Sequence, residues 1–308
     1  MTSDAIAPQV ERAVVAPPRA TTARKISVFL SKHSRVRLAF LLSPPLLWLG
    51  LIYVVALAAL LITALWTVDS FTGEITQSWT LDNIVTVLAN PLYQTVTIRT
   101  IAVAAIVTVI DVLVALPIAF YMAKVASPRM ARILVILVLT PLWASYLVKA
   151  YAWRSVLATG GIFDWIAAPF GGSSPGYGLA ATIMTLAYLW LPFVILPIYA
   201  GLERVPNSLL EASSDLGAST MRTLVSVVLP ILKPAIIAGS IFSFSLSLGD
   251  YITVKIVGGA NQLLGSLVYA NIGAANNLPL AAAISLIPIA VMIVYLTLAR
   301  RAGALENL

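Results

Sequence analysis

The chain contains no cysteine, and His33 is its only histidine. The first absence excludes a disulfide framework, a thiol nucleophile and a cysteine metal site. The second excludes a histidine-based metal site and a His-dependent triad. Charge is scarce too. Asp, Glu, Lys and Arg supply 10% of the 308 residues, hydrophobic types supply 60%, and the mean hydropathy is +0.97. A soluble domain is about one quarter charged, so lipid is the expected solvent here. No G-x-x-x-x-G-K-[ST] phosphate loop occurs, so ATP is not expected to bind this chain by that route.

What is present is a series of long apolar runs. Six of them, at approximately 38–66, 96–123, 132–151, 179–201, 235–256 and 279–299, can each supply the roughly 20 residues needed to cross about 30 Å of hydrocarbon. Backbone groups in lipid must be satisfied within the segment, so the runs predict helices. The shorter, alternating segments of a membrane β-barrel are missing. The expected fold is therefore an all-α membrane protein with six transmembrane helices. Residues 1–37, with Pro8, Pro17, Pro18 and seven basic residues, read as a disordered basic cytoplasmic tail, and 301–308 as a second, short cytoplasmic tail.

The net charge of +7 would suggest nucleic acid as partner of a soluble protein. Its distribution says otherwise. Of the 19 basic residues, all but Arg99, Lys149, Arg154 and Lys255 fall in the two tails, in the intervals 124–131 and 202–234, or directly beside them at Arg132 and Arg300. The positive-inside rule then puts both termini and 202–234 in the cytoplasm. The outer loops are about 67–95, 152–178 and 257–278.

The interval 202–234 is the longest charged one between two spans. Pro206 suits a helix start, and Ser208 and Glu211 have capping-box spacing. Leu209, Leu210 and Leu216 offer a short helix an apolar surface, and Gly217 suits its left-handed end. Ser219 or Thr220 can cap a second helix through about Val228. Pro230 and Pro234 are expected to bend the chain as it re-enters the membrane.

The same interval reads Glu211-Ala212-Ser213, three residues, Gly217, nine residues, Val227, one residue, Leu229-Pro230. This resembles the EAA loop of permease subunits in binding-protein-dependent ABC importers. It departs from the family pattern at Ser213, where Ala is usual, and at Val227, where Ile is usual. Segments 140–154 and Leu248-Gly249-Asp250-Tyr251-Ile252-Thr253 are similar to the third and fifth spans of spermidine/putrescine permeases.

The resemblance implies a type I importer architecture in the bacterial inner membrane. It also implies a loop, carried by Glu211, Ala212, Ser213 and Gly217 with Leu209, Leu210 and Leu216, that docks on an ATPase. The implied partners are two ATPase subunits, a second permease subunit and an extracytoplasmic solute-binding protein. ATP and magnesium would be bound by the ATPase, leaving this chain without a cofactor.

Ionisable residues within spans are expensive and mark candidate pathways. Asp111 lies mid-way along the second span and Asp250 within the fifth. A cationic amine crossing the membrane needs carboxylates and aromatic faces in place of water. Asp250, Asp111, Tyr251, Trp143 and Tyr146 are the candidates. Against them stand interfacial aromatic belts and simple helix–helix pairing of Asp111. The alternative functions are an ion-gradient-driven secondary transporter, and the same importer type carrying ferric iron, an amino acid or an organophosphonate.

Overall fold

Apolar runs with no water to satisfy their backbone become helices, and their ends are set by local capping. The computed structural model describes residues 34–69 and 71–301. The expected tail 1–37 lies outside these up to residue 33, its last four residues being helical, and the expected tail 301–308 lies outside them from residue 302. The chain divides after Ala58. The described part of the first unit is most of α1 (Ser34–Thr63), which carries Pro44 and Pro45.

The second unit begins in the last turn of α1. A two-stranded antiparallel hairpin follows, β1 (Thr67–Val68) with β2 (Ile75–Thr76), in the register Thr67 to Thr76. Next come α2 (Asp82–Ala89) and α3 (Pro91–Phe120). Asn90 caps α3 by accepting from the Leu92 N–H at 2.9 Å, with Pro91 in the first turn where its missing N–H is harmless. α3 ends in a π-helical turn, Tyr121–Val125.

The expected third span is not one helix. It is α4 (Pro128–Trp143) and α5 (Tyr146–Leu157), bent by 96° at Ala144-Ser145. Pro141 removes one ladder hydrogen bond there, and Ala144 and Ser145 are extended. After α6 (Ile162–Ala167) comes the long α7 (Leu179–Glu203).

The charged interval holds α8 (Asn207–Asp215) and α9 (Thr220–Thr223). A π-helical turn, Leu224–Val228, then joins α9 to α10 (Leu229–Leu248). The helix does not break at Pro230 or Pro234, and runs from Thr220 to Leu248. The wider π turn lies just before Pro230, where the α ladder must lose a bond in any case. The fifth span therefore starts earlier than expected. It also stops earlier, at Gly249-Asp250-Tyr251, before the short α11 (Ile252–Val257). α12 (Leu264–Gly273) and α13 (Leu278–Arg301) complete the chain. Among the described residues five helices are long and apolar enough to cross a membrane, and the bent α4–α5 pair brings the number to six where it is one span.

α3, α7 and α10 pack on one another and form the centre of the second unit. Small residues let them approach, as expected where lipid gives no hydrophobic push. A Cβ on Gly239 of α10 would lie 3.1 Å from the Val194 Cα of α7, and one on Gly201 would lie 2.8 Å from Ala235 Cβ. Around these contacts Ala115, Ala119, Met122, Val194, Ile198, Leu202, Val228 and Leu232 are buried together. At the other end, Thr100 of α3 accepts from the Leu264 N–H at 2.9 Å, which ties α12 to the central bundle.

Candidate functional site: a helix pair at one end and a carboxylate cleft at the broken span

α8 and α9 form a compact helix pair. Gly217 closes α8 with φ +75°, a left-handed conformation that glycine adopts without strain. The Gly217 N–H donates to the Ser214 carbonyl at 2.8 Å and the Ala218 N–H to the Ser213 carbonyl at 3.1 Å. This is a Schellman motif, which satisfies two of the helix's final carbonyls. Ser219 then caps α9 by accepting from the Arg222 N–H.

The start of α8 differs from the expectation. No capping box forms. Pro206 occupies the cap position without a side-chain bond, and helix begins at Asn207, which leaves Ser208 inside the first turn.

Two side-chain ties hold the pair. Ser213 and Thr223 share a hydroxyl hydrogen bond of 2.8 Å across it. The departure from the family's alanine at 213 thus adds a bond that alanine lacks. Lys124, in the π turn of α3, donates to the Val205 carbonyl at 2.6 Å and to Asn207 Oδ1 at 3.1 Å.

The outer face is free. Glu211, Ala212 and Leu209 are exposed, and Leu216 is 88% exposed. Leu210 turns inward to a cleft of about 640 Å³ that both π turns line, through Tyr121, Val125, Leu224 and Val228. The pair thus presents an exposed apolar and acidic face, tied to the end of α3 through Lys124 and joined to α10 by the π turn.

The second site lies at the break after α10. Gly249 ends α10, and the Asp250 carboxylate accepts from the Thr253 N–H in the first turn of α11 at 2.8 Å. Tyr146, the first residue of α5, donates its hydroxyl to the other Asp250 oxygen and shares a hydrogen bond with the Thr253 hydroxyl. The second helix of the bent α4–α5 pair and the end of α10 therefore meet at one carboxylate.

Tyr146 stacks on Trp190 of α7 with ring centroids 5.9 Å apart. Tyr146, Trp190, Gly249, Asp250 and Tyr251 line a cleft of about 320 Å³. Tyr251 in turn stacks on Tyr269 of α12 at 4.9 Å, and the Lys255 ammonium lies 4.2 Å from the Tyr269 ring centroid. Such a cleft offers a carboxyl group flanked by π faces, the chemistry that receives an alkylammonium group.

Of the five residues expected on a pathway, Asp250, Tyr251 and Tyr146 come together here. Asp111 does not join them. It has no exposed surface and accepts from the Ser243 hydroxyl at 2.6 Å, between α3 and α10. Trp143, at the end of α4, is 89% exposed and is not among the cleft's lining residues. Trp190, Thr253 and Tyr269 join this site without having been among the expected pathway residues. Only the run Trp190-Leu191-Pro192, an aromatic beside a helix-perturbing proline within a span, hinted at the first.

A multi-pass helical bundle with one bent helix pair and a charged helix pair between two spans suits the membrane component of a transport system. Residues 101–304 match the family described as binding-protein-dependent transport system inner membrane component, and the chain belongs to that family. It is the permease type of a bacterial ABC importer, a multi-pass protein of the inner membrane.

The inner membrane ABC transporter permease protein YdcU of Escherichia coli K12 is 40% identical over 299 residues, covering 92% of this chain and 95% of that protein. The spermidine/putrescine transport system permease protein PotB of Haemophilus influenzae is 33% identical over 225 residues, covering 71% and 78%. The fold is that of a bacterial ABC transporter solved for import of the acidic polysaccharide alginate, with a TM-score of 0.64 at 14% identity over 90% of this chain and 99% of that one. The ion-gradient-driven alternative falls with the family assignment.

Proposed function

We propose that this chain forms half of the translocation pathway of an ATP-driven importer for small cationic amines of the polyamine class. The observation that carries the solute class is the Asp250 carboxylate, 8% exposed, set among Tyr146, Trp190 and Tyr251 where α5 begins and α10 ends. An amine losing its water gains a charge partner and ring faces there. The names of the 30–33% identical PotB permeases support the same class.

In this reading the chain hydrolyses nothing. Two separate ATPase subunits bind ATP and magnesium, a related second permease supplies the other half of the pathway, and an extracytoplasmic binding protein delivers the solute. Both termini and the helix pair face the cytoplasm, as the basic residues suggest. Glu211, Ala212, Ser213 and Gly217, with Leu209, Leu210 and Leu216, form the surface that enters a groove on the ATPase. ATP closes the ATPase pair and draws the two helix pairs together, and hydrolysis resets them. Lys124 and the π-turn attachments pass that motion to α3 and α10.

The test is uptake of labelled spermidine and putrescine by proteoliposomes holding the complex captured through this chain, with its binding protein outside. ATP-dependent uptake that excess unlabelled amine abolishes supports the reading. Uptake of an amino acid, ferric iron or an organophosphonate in place of amines would overturn the solute class while leaving the importer intact.

A further inference from the structure

We infer that Lys255 is a resident cation of the pathway, an ammonium that holds the aromatic station beside Asp250 until a cationic solute displaces it. The inference rests on the amine reading above and names the residue that sets how tightly the permease holds its solute.

Lys255 projects from α11, the short helix that follows the break in the fifth span. Its ammonium sits 4.2 Å from the centre of the Tyr269 ring. It is exposed, and it forms no ion pair among the described residues. Asp250 stands five positions earlier, and its carboxylate accepts from the Tyr146 hydroxyl and the Thr253 N–H, with no ion pair to Lys255. The lysine is left with a π face as its electrostatic partner. That face belongs to a stacked pair, because Tyr269 lies against Tyr251, which also lines the carboxylate cleft.

An alkylammonium solute seeks the same two things, a carboxylate and an electron-rich ring. A solute amine at Asp250 meets Tyr251 at once, and to reach Tyr269 it must replace an ammonium already there. Two like charges over one ring pair repel each other. Lys255 is thus an intramolecular competitor. It weakens the permease's grip on its solute, which a transporter needs if the solute is to leave. Simple anchoring of a long side chain at the membrane surface predicts no such competition.

The test uses the full chain in the complex purified from its native membrane, without the binding protein, and measures equilibrium binding of radiolabelled spermidine. Lys255→Met should lower Kd about fivefold, the size of one released cation–π contact. Lys255→Arg, which keeps the charge, should bind as the wild type does. In a Tyr269→Leu background the Met substitution should change nothing. Should the Met variant not assemble, Lys255→Gln removes the same charge. Equal Kd values for wild type and the neutral variants, or an undiminished gain in the Tyr269→Leu background, would overturn the inference and leave the amine reading standing. Absence of spermidine binding by wild type and every variant would overturn both.

Discussion

Gly217→Ala adds one methyl group to the turn between α8 and α9. A Cβ there meets nothing within 4 Å, so no clash contributes. The whole penalty is conformational, because φ is +75° and an L-residue pays about 1–2 kcal/mol in that region. The helix can escape by unwinding its last turn, which releases the Schellman bonds from Gly217 and Ala218 and tilts Leu216 away from its position. If the ATPase recognises the closed turn, its affinity should fall roughly 5- to 30-fold. Gly217→Asn is the control, since asparagine tolerates the left-handed region far better, and it should lose a few-fold at most by the same argument. The assay is titration of purified ATPase onto the stripped permease in mild detergent. Wild-type affinity for the alanine variant, or equal losses for alanine and asparagine, would refute the claim that this turn is read by the partner.

Ser213→Ala restores the residue usual in the family and removes the 2.8 Å bond to Thr223, so hydrogen exchange across 207–223 should quicken by the equivalent of about 1 kcal/mol. Unchanged exchange would mean the bond adds nothing. Gly239→Ala places a methyl 3.1 Å from Val194 Cα and should destabilise the solubilised protein by about 1–3 kcal/mol, whereas Gly273→Ala, with open space around it, should leave the melting temperature nearly unchanged. Equal melting temperatures for the two variants would remove the close α7–α10 contact as a stability determinant. Asp164 binds the backbone N–H groups of Ser174 and Gly160, which hold its carboxyl below the ordinary 3.8. A depressed folded value means the contribution is complete above pH 3.8 and is lost as pH falls below it through the folded value. Limited proteolysis of 158–178 should therefore accelerate below that pH in wild type, and Asp164→Ala should be cleaved readily even at neutral pH.

Hydropathy made the spans legible because lipid leaves a long apolar run no alternative to helix. It could not reveal the two breaks. The run 132–151 is continuous in composition, and a single extended pair at Ala144-Ser145, three residues past Pro141, turns it by 96°. Gly249 ends α10 just as quietly. The left-handed role of Gly217 was readable, since few residues other than glycine take that conformation. The start of α8 was not, because Pro206 set the entry and left Ser208 without a capping task. Asp250 and Tyr146 were each visible as polar groups in apolar surroundings. That they touch was not, since 104 residues separate them and only the packed bundle joins them. Asp111 carried the same sequence signal as Asp250, and what differs is the neighbouring helix. The Ser243 hydroxyl meets it in the interior, where it has no exposed surface.

The two π turns have a consequence in helical phase. A π turn holds one residue more than the α turn it replaces, and each helical residue advances the side-chain direction by about 100°. The turn at Leu224–Val228 therefore sets the rotational offset between α9 and the Ser243 face of α10. The turn at Tyr121–Val125 does the same for Lys124 relative to Asp111. No side-chain contact needs to fix these angles. Removing one residue from either turn would swing everything beyond it by more than a quarter of a revolution. The compass bearing of the helix pair about the bundle is written as a residue count, and a count of residues does not drift with temperature or loosen with motion.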